Sequence, residues 1–174
     1  MTYTDHLNVT DRVAEATQLL GLDEDSLVLN LQGDEPLVSP GLINQVVGEL
    51  IKQPDAMLST ACCPIHSFAE YQDSNVVKVV RNQRLLAAYF SRAPIPWVRD
   101  RQSPGHPTTH WSEARRHLGI YAYRVGYLTR FCELPPAPTE LTEKLEQLRA
   151  LWYGDDIVVC DANEIPGPGV GSPE

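Results

Sequence analysis

Gln32-Gly33-Asp34-Glu35-Pro36 puts two adjacent carboxylates where an apolar run, Ser26–Gln32, stops abruptly. A run of that kind reads as a strand buried on both faces. In layered α/β proteins, ligands sit beyond the carboxyl ends of such strands. A carboxylate there suits Mg²⁺, which takes one or two carboxylates and completes its shell with water and substrate phosphates. Asp34 is therefore a candidate metal ligand. The plainer alternative is a polar turn in which Asp34 caps the chain's exit, because Asp and Gly are routine turn formers.

The elements that must position this turn follow from periodicity. Thr10 (or Asn8) can cap a helix with Val13, Ala16, Leu19 and Leu20 as its apolar stripe, ended by Gly21. Pro40 and Gly41 open a second helix, with Leu42, Ile43, Val46, Val47 and Leu50 as its buried face. Met57–Ile65 reads as a strand, and Val76–Val80 with Leu85–Phe90 as a hairpin around Arg81–Arg84. A long Pro-, Arg- and His-rich stretch from Ala93 to Trp111 has the length of a functional loop. His117–Tyr123 predicts a strand, Tyr127–Leu134 a short helix, and Ile157–Cys160 a last strand. Between them Thr139 should cap one continuous helix presenting Leu141, Leu145, Leu148, Leu151 and Trp152, with Gly154 past its end. Alternating strands and helices predict an α/β layered fold in a single domain.

Composition narrows the function. The 174 residues carry 14 Lys+Arg against 23 Asp+Glu, a formal charge of −9, which argues against nucleic acid as a partner. No apolar run is long enough to span a bilayer, and the N-terminus lacks the basic start and apolar stretch of a signal peptide, so a cytoplasmic protein is expected. Cys62, Cys63, Cys132 and Cys160 form no C-x-x-C pair; they read as reduced core thiols, with Cys62 and Cys63 on opposite faces of a strand.

Five blocks then bear on identity. They are Asn30-Leu-Gln-Gly-Asp-Glu-Pro36; Phe90-Ser-Arg-Ala-Pro-Ile-Pro-Trp97 with Arg99-Asp100; Arg116-His-Leu-Gly-Ile-Tyr-Ala-Tyr123; Leu145-Glu-Gln-Leu-Arg-Ala-Leu-Trp-Tyr-Gly154; and Glu164-Ile-Pro-Gly167. In this order and spacing they resemble the 3-deoxy-manno-octulosonate (Kdo) cytidylyltransferases over essentially the whole chain. The resemblance implies a three-layer α/β/α, Rossmann-like nucleotidyltransferase fold, like that of nucleotide-diphospho-sugar transferases. Its sheet would be mixed and mostly parallel, without the first strands, and residues 85–155 would bind sugar and dimerise. The implied reaction is attack of the Kdo anomeric hydroxyl on the α-phosphorus of CTP, giving CMP-Kdo and pyrophosphate for lipopolysaccharide biosynthesis. Mg²⁺ is the implied cofactor and a homodimer the implied assembly.

By the same resemblance Asp34 is a catalytic Mg²⁺ ligand, and Gln32, Arg92, His117, Tyr121, Glu146 and Gln147 contact Kdo. Thr10 and Arg12 belong to the segment that holds the nucleotide. The plainer alternatives are that Arg92 serves only an inter-subunit ion pair, that His117 is an ordinary half-buried histidine, and that Glu146 and Gln147 form a solvated helix face.

Three departures from the family pattern carry expectations of their own. Met1 aligns inside the pattern, so no counterpart of the triphosphate-wrapping loop is expected in this chain. Val9 stands where the family has glycine, and a β-branched residue tolerates neither positive φ nor close approach of the backbone to a base. Gly171 stands where the family places a second metal-binding aspartate. Together they predict weak or absent turnover. They also motivate an alternative, a non-catalytic sugar-acid-binding or oligomerisation module; a third reading is a synthetase for another sugar acid, against which the Arg116–Tyr123 and Leu145–Gly154 blocks speak.

Overall fold

A computed structural model describes residues 9–31, 38–99 and 113–165. Helices α1 (Val9–Leu19) and α2 (Pro40–Lys52) flank strand β1 (Leu27–Leu31). Strand β2 (Leu58–Pro64), the short helix α3 (Phe68–Gln72) and strands β3 (Lys78–Arg81), β4 (Ala87–Ser91) and β5 (Arg115–Arg124) follow. The chain closes with helices α4 (Val125–Glu133), α5 (Pro138–Glu143) and α6 (Gln147–Trp152) and strand β6 (Ile157–Asp161).

The six strands form one sheet in the order β4-β3-β5-β2-β6, with β1 also pairing β5. β5 is antiparallel to β1, β2 and β3, and the only parallel pairing among the described strands is β2 with β6. The sheet is mixed, as expected. β1, β2, β3 and β6 all run one way, and β5 is inserted among them in the opposite sense. That insertion corrects the reading of β1 as a parallel strand buried on both faces. Its partner is antiparallel and its residues are only half-buried or exposed.

Alternation along β5 builds two cores. Ala61, Leu118, Ile120, Ala122 and Val158 pack under Leu42, Val46 and Leu50 of α2. Leu58, Tyr121, Tyr123, Ile157 and Val159 pack on the other face under Leu128 and Phe131 of α4 and Leu148 of α6. Helices on both faces make the three layers. Cys62 and Cys63 divide between the two cores, as neighbours on a strand must. Cys132 differs from its expectation as a core thiol: it lies on the exposed side of α4.

Two helix readings need correction. α1 does not bury Val13, Ala16, Leu19 and Leu20 as a stripe; Leu19 and Leu20 are exposed, and Thr10, Ala14 and Thr17 face inward. Small residues on that face let α1 lie close against α4. Gly21 ends α1 at φ 61°, as a left-handed C-terminal residue does. The expected single helix after Thr139 is two. Lys144 adopts a left-handed conformation (φ 55°) that breaks it, and the cap is Ala137, whose N–H donates to Glu140 at 3.0 Å. Arg149 explains why the break is held. Its Nε and Nη2 donate to the two Glu140 carboxylate oxygens at 2.8 and 2.6 Å, both side chains being buried, so α5 folds back on α6.

Candidate active site

The break at Lys144 matters because it opens one wall of a cavity of about 430 Å³. α1 contributes Val9 and Thr10 to the cavity, β1 contributes Asn30, and β5 contributes Arg116, His117, Gly119, Tyr121 and Tyr123. The turn before β3 adds Asn75, Val76 and Val77, Arg92 follows β4, and Leu58, Phe131 and Lys144–Gln147 complete the lining. Strand period puts His117, Tyr121 and Tyr123 on one face of β5, where their rings pack in series at 5.2 and 5.8 Å between centroids.

Arg92, Arg116 and Lys144 are cationic lining residues, and Glu146 is the one carboxylate among the described ones. Arg92 is held from behind: Nε donates to Glu143 O at 2.8 Å and Nη1 to Ser74 O at 3.0 Å. No described residue takes Nη2, and Arg92 lines the cavity. Lys78, fully buried, stiffens the same corner. Its ammonium donates to the carbonyls of Asp73, Val76 and Arg92 at 2.7, 2.5 and 2.7 Å. Burial pulls its pKa down. Arg116 is backed by Glu70 at 3.5 Å.

Two ring residues have unusual environments. His117 is half-buried at the residue level, yet its imidazole lies deep enough that desolvation pulls its pKa down to about 3, leaving it neutral. Tyr121 is 7% exposed, and its hydroxyl is buried with no hydrogen-bond partner among the described residues. Burial raises its pKa well above the usual phenol range. An orphaned buried hydroxyl is uncommon in a folded protein and fits a position that a ligand completes.

The family model described as Cytidylyltransferase matches residues 1–157, nine-tenths of the chain. The chain belongs to the cytidylyltransferase family. It is 49% identical over 182 residues to a 3-deoxy-manno-octulosonate cytidylyltransferase of Alkalilimnicola ehrlichii, covering 100% of this chain and 68% of that protein. It is 51% identical over 174 residues to the protein of the same name from Polynucleobacter necessarius, covering 100% of this chain and 66% of the relative. A solved structure of a CMP:2-keto-3-deoxy-manno-octonic acid synthetase complexed with CTP superposes with a TM-score of 0.84 at 36% identity. That match covers 98% of this chain and 65% of the solved one. The chain thus spans about two thirds of the length of the relatives it matches.

Within this cytidylyltransferase the expected site residues divide. Arg92, His117, Tyr121, Glu146, Gln147 and Thr10 come together at the cavity, although they lie on four separate stretches of chain. Arg12 does not join them; it lies on the exposed side of α1. Gln32, Asp34 and Gly171 fall outside the described residues, so the metal assignment at Asp34 stays with the sequence. Among the described residues no group of three or more His, Cys, Asp or Glu side chains gathers to hold a metal ion.

Val9 is the first residue of α1 and its backbone is helical, so no positive φ is required of it. Glu146 has a role the sequence did not disclose. Its carboxylate accepts from the N–H groups of Val9 and Thr10 at 3.1 and 3.3 Å, and from the Thr10 hydroxyl at 2.8 Å. It therefore caps α1 from across the cavity, and Thr10 sits inside the helix instead of capping it. Lys78, Lys144 and Thr60 were also missed. A lysine and a threonine within strands carry no periodic signal, and left-handed Lys144 follows a helical pattern that continues past it.

Proposed function

We propose that the cavity binds Kdo and that the family reaction, CTP + Kdo to CMP-Kdo + pyrophosphate, is the chemistry this chain is built for. The observation that carries the reading is a cavity that places an anion-ready guanidinium edge at Arg92 beside a neutral imidazole and an unsatisfied phenol. A sugar acid offers a carboxylate for the first and hydroxyls for the others. The names of the relatives at 49% and 51% identity support Kdo as that acid. CTP is supported by the complexed neighbour.

The chain's own residues would orient the sugar: Arg92 fixes the carboxylate, and His117 and Tyr121 read hydroxyls, presenting the anomeric oxygen for in-line attack at the α-phosphorus. Mg²⁺, held at Asp34, would neutralise phosphate charge. Assembly as a homodimer in the cytoplasm belongs to the same proposal. It is supported by Trp97, 71% exposed at the end of the Phe90–Trp97 block, and by the lack of any helix among the described residues long and apolar enough to cross a membrane.

The test is calorimetric titration of the full chain with Kdo, alongside pyrophosphate release with CTP, Kdo and Mg²⁺. Binding with weak turnover is the expected result for the enzyme. Binding without turnover assigns the chain to the non-catalytic sugar-acid-binding alternative. Absence of Kdo binding by a folded sample would sink the proposal.

A further inference from the structure

We propose that Thr60 is a positioning residue that sets the tautomer of His117, leaving Nδ1 as the acceptor for a hydroxyl of the bound sugar acid. For the identity of that ligand the inference rests on the function proposed above.

Thr60 lies fully buried on β2, at the one irregularity in its pairing with β5. Thr60 faces Tyr121, but Ala61 faces Leu118, so Gly119 and Ile120 bulge out of register. Bulges leave carbonyls without ladder partners and are used to re-aim neighbouring side chains. The Thr60 hydroxyl oxygen stands 2.8 Å from Ile120 O, 3.1 Å from Leu118 O and 2.9 Å from His117 Nε2.

A hydroxyl has one proton, and both carbonyls can only accept. Were the imidazole proton on Nδ1, Thr60 would have to donate to Nε2, and both carbonyls would face a bare oxygen at hydrogen-bond distance. With the proton on Nε2, His117 donates to Thr60 and Thr60 donates to the bulge. Nε2 and the hydroxyl then both have partners, and the single Thr60 proton goes to the bulge, with Ile120 O the nearer acceptor. The proton on one ring nitrogen is set by the bond that nitrogen makes, and the other is left as an acceptor.

No described residue donates to Nδ1. Phe90 packs edge-on against the ring at 5.1 Å between centroids, Tyr121 tilts against it at 5.2 Å, and it lines the cavity. Burial keeps the imidazole neutral, so the lone pair persists at physiological pH. The orphaned Tyr121 hydroxyl stands beside it on the same face. A polyhydroxylated ligand can donate one hydroxyl to Nδ1 and engage the phenol with another. A histidine of the opposite tautomer would present a donor there and select for an acceptor instead.

The experiment is long-range ¹H–¹⁵N correlation NMR of the full chain labelled at histidine, with His117→Gln identifying the resonance. The expected result is a neutral Nε2–H imidazole from about pH 5 to pH 8, the range in which an ordinary histidine titrates. Thr60→Val, which keeps the shape and removes the hydroxyl, should lose that pure tautomer; Thr60→Ser should restore it. Kdo affinity should fall about tenfold in Thr60→Val, the scale of one lost hydrogen bond, and recover in Thr60→Ser.

A wild-type Nδ1–H tautomer would overturn the proposal, and so would an unchanged tautomer in Thr60→Val. The wild-type spectrum decides the first of these even where valine is not tolerated. An Nε2–H tautomer in a chain that binds no Kdo would overturn the proposed function and the ligand half of this inference, while Thr60 would stand as the residue that sets the imidazole.

Discussion

The Glu146 carboxylate and the Thr10 hydroxyl, 136 residues apart, share a hydrogen bond of 2.8 Å across the candidate active site. The same carboxylate takes two backbone N–H groups of α1. One side chain therefore serves as both cap and clasp, joining the helix expected to meet the nucleotide to the turn expected to meet the sugar. Glu146→Ala should cost about 0.5–2 kcal/mol of stability, the range for losing a helix cap. Thr10→Val should cost less, and a double-mutant cycle by urea unfolding should show that the two are coupled. Strict additivity would mean the clasp is not formed in solution.

Arg149 and Glu140 make the second pair to break. Both are buried and joined by two bonds, so removing one partner leaves an unpaired charge in the interior. Arg149→Met should destabilise the fold by about 3–5 kcal/mol, while Arg149→Met with Glu140→Leu should recover part of the loss. Chemical denaturation of the three variants checks this. Lys144 and Glu146 lie between these two residues, so the single mutant should also lose ligand affinity.

His117 gives the chain a pH dependence whose sign can be worked out. Its pKa in the folded chain, about 3, lies below the ordinary value of 6.5, so the unfolded chain binds the extra proton first. Its contribution is fully present above pH 6.5 and is lost as the pH falls towards 3. The slope is bounded at about 1.4 kcal/mol per pH unit for one proton. Urea midpoints measured across that range should be steeper for the wild type than for His117→Gln. Parallel curves would contradict a neutral buried imidazole.

Arg92→Lys separates charge from geometry. Lysine keeps the charge but loses the planar fork and the bonds to Glu143 O and Ser74 O. Kdo affinity should drop about tenfold or more, at least ~1.4 kcal/mol, with CTP affinity unchanged. Equal loss for both ligands would show that Arg92 acts through the fold.

Much of this molecule was legible because its signals are local. The face of α2, the β3–β4 hairpin, the glycine after α1 and the split of Cys62 and Cys63 all follow from period and turn chemistry within a few residues. The errors arose where a partner distant in sequence decides the outcome. The inward face of α1 is set by packing against α4, so Thr10, Ala14 and Thr17 outrank more apolar neighbours. The helix after Thr139 breaks because Glu140 and Arg149 satisfy each other when the chain folds back. At the site, recognisable blocks nominated Arg92, His117, Tyr121 and Glu146. What those side chains do beforehand for one another, through Thr60, Lys78 and Thr10, is written only in three dimensions.

The antiparallel insertion of β5 also orders events in time. Among the described strands, β1 and β2 pair with none that comes before residue 115. During synthesis the helices and the β3–β4 hairpin can therefore form before the β1–β5 and β2–β5 pairings do. Two apolar strands wait for β5 as their described antiparallel partner. Pairings at such sequence separation fold slowly, so the yield of native protein should depend on how fast residues 115–124 follow, and on chaperones that shield the strands until they do.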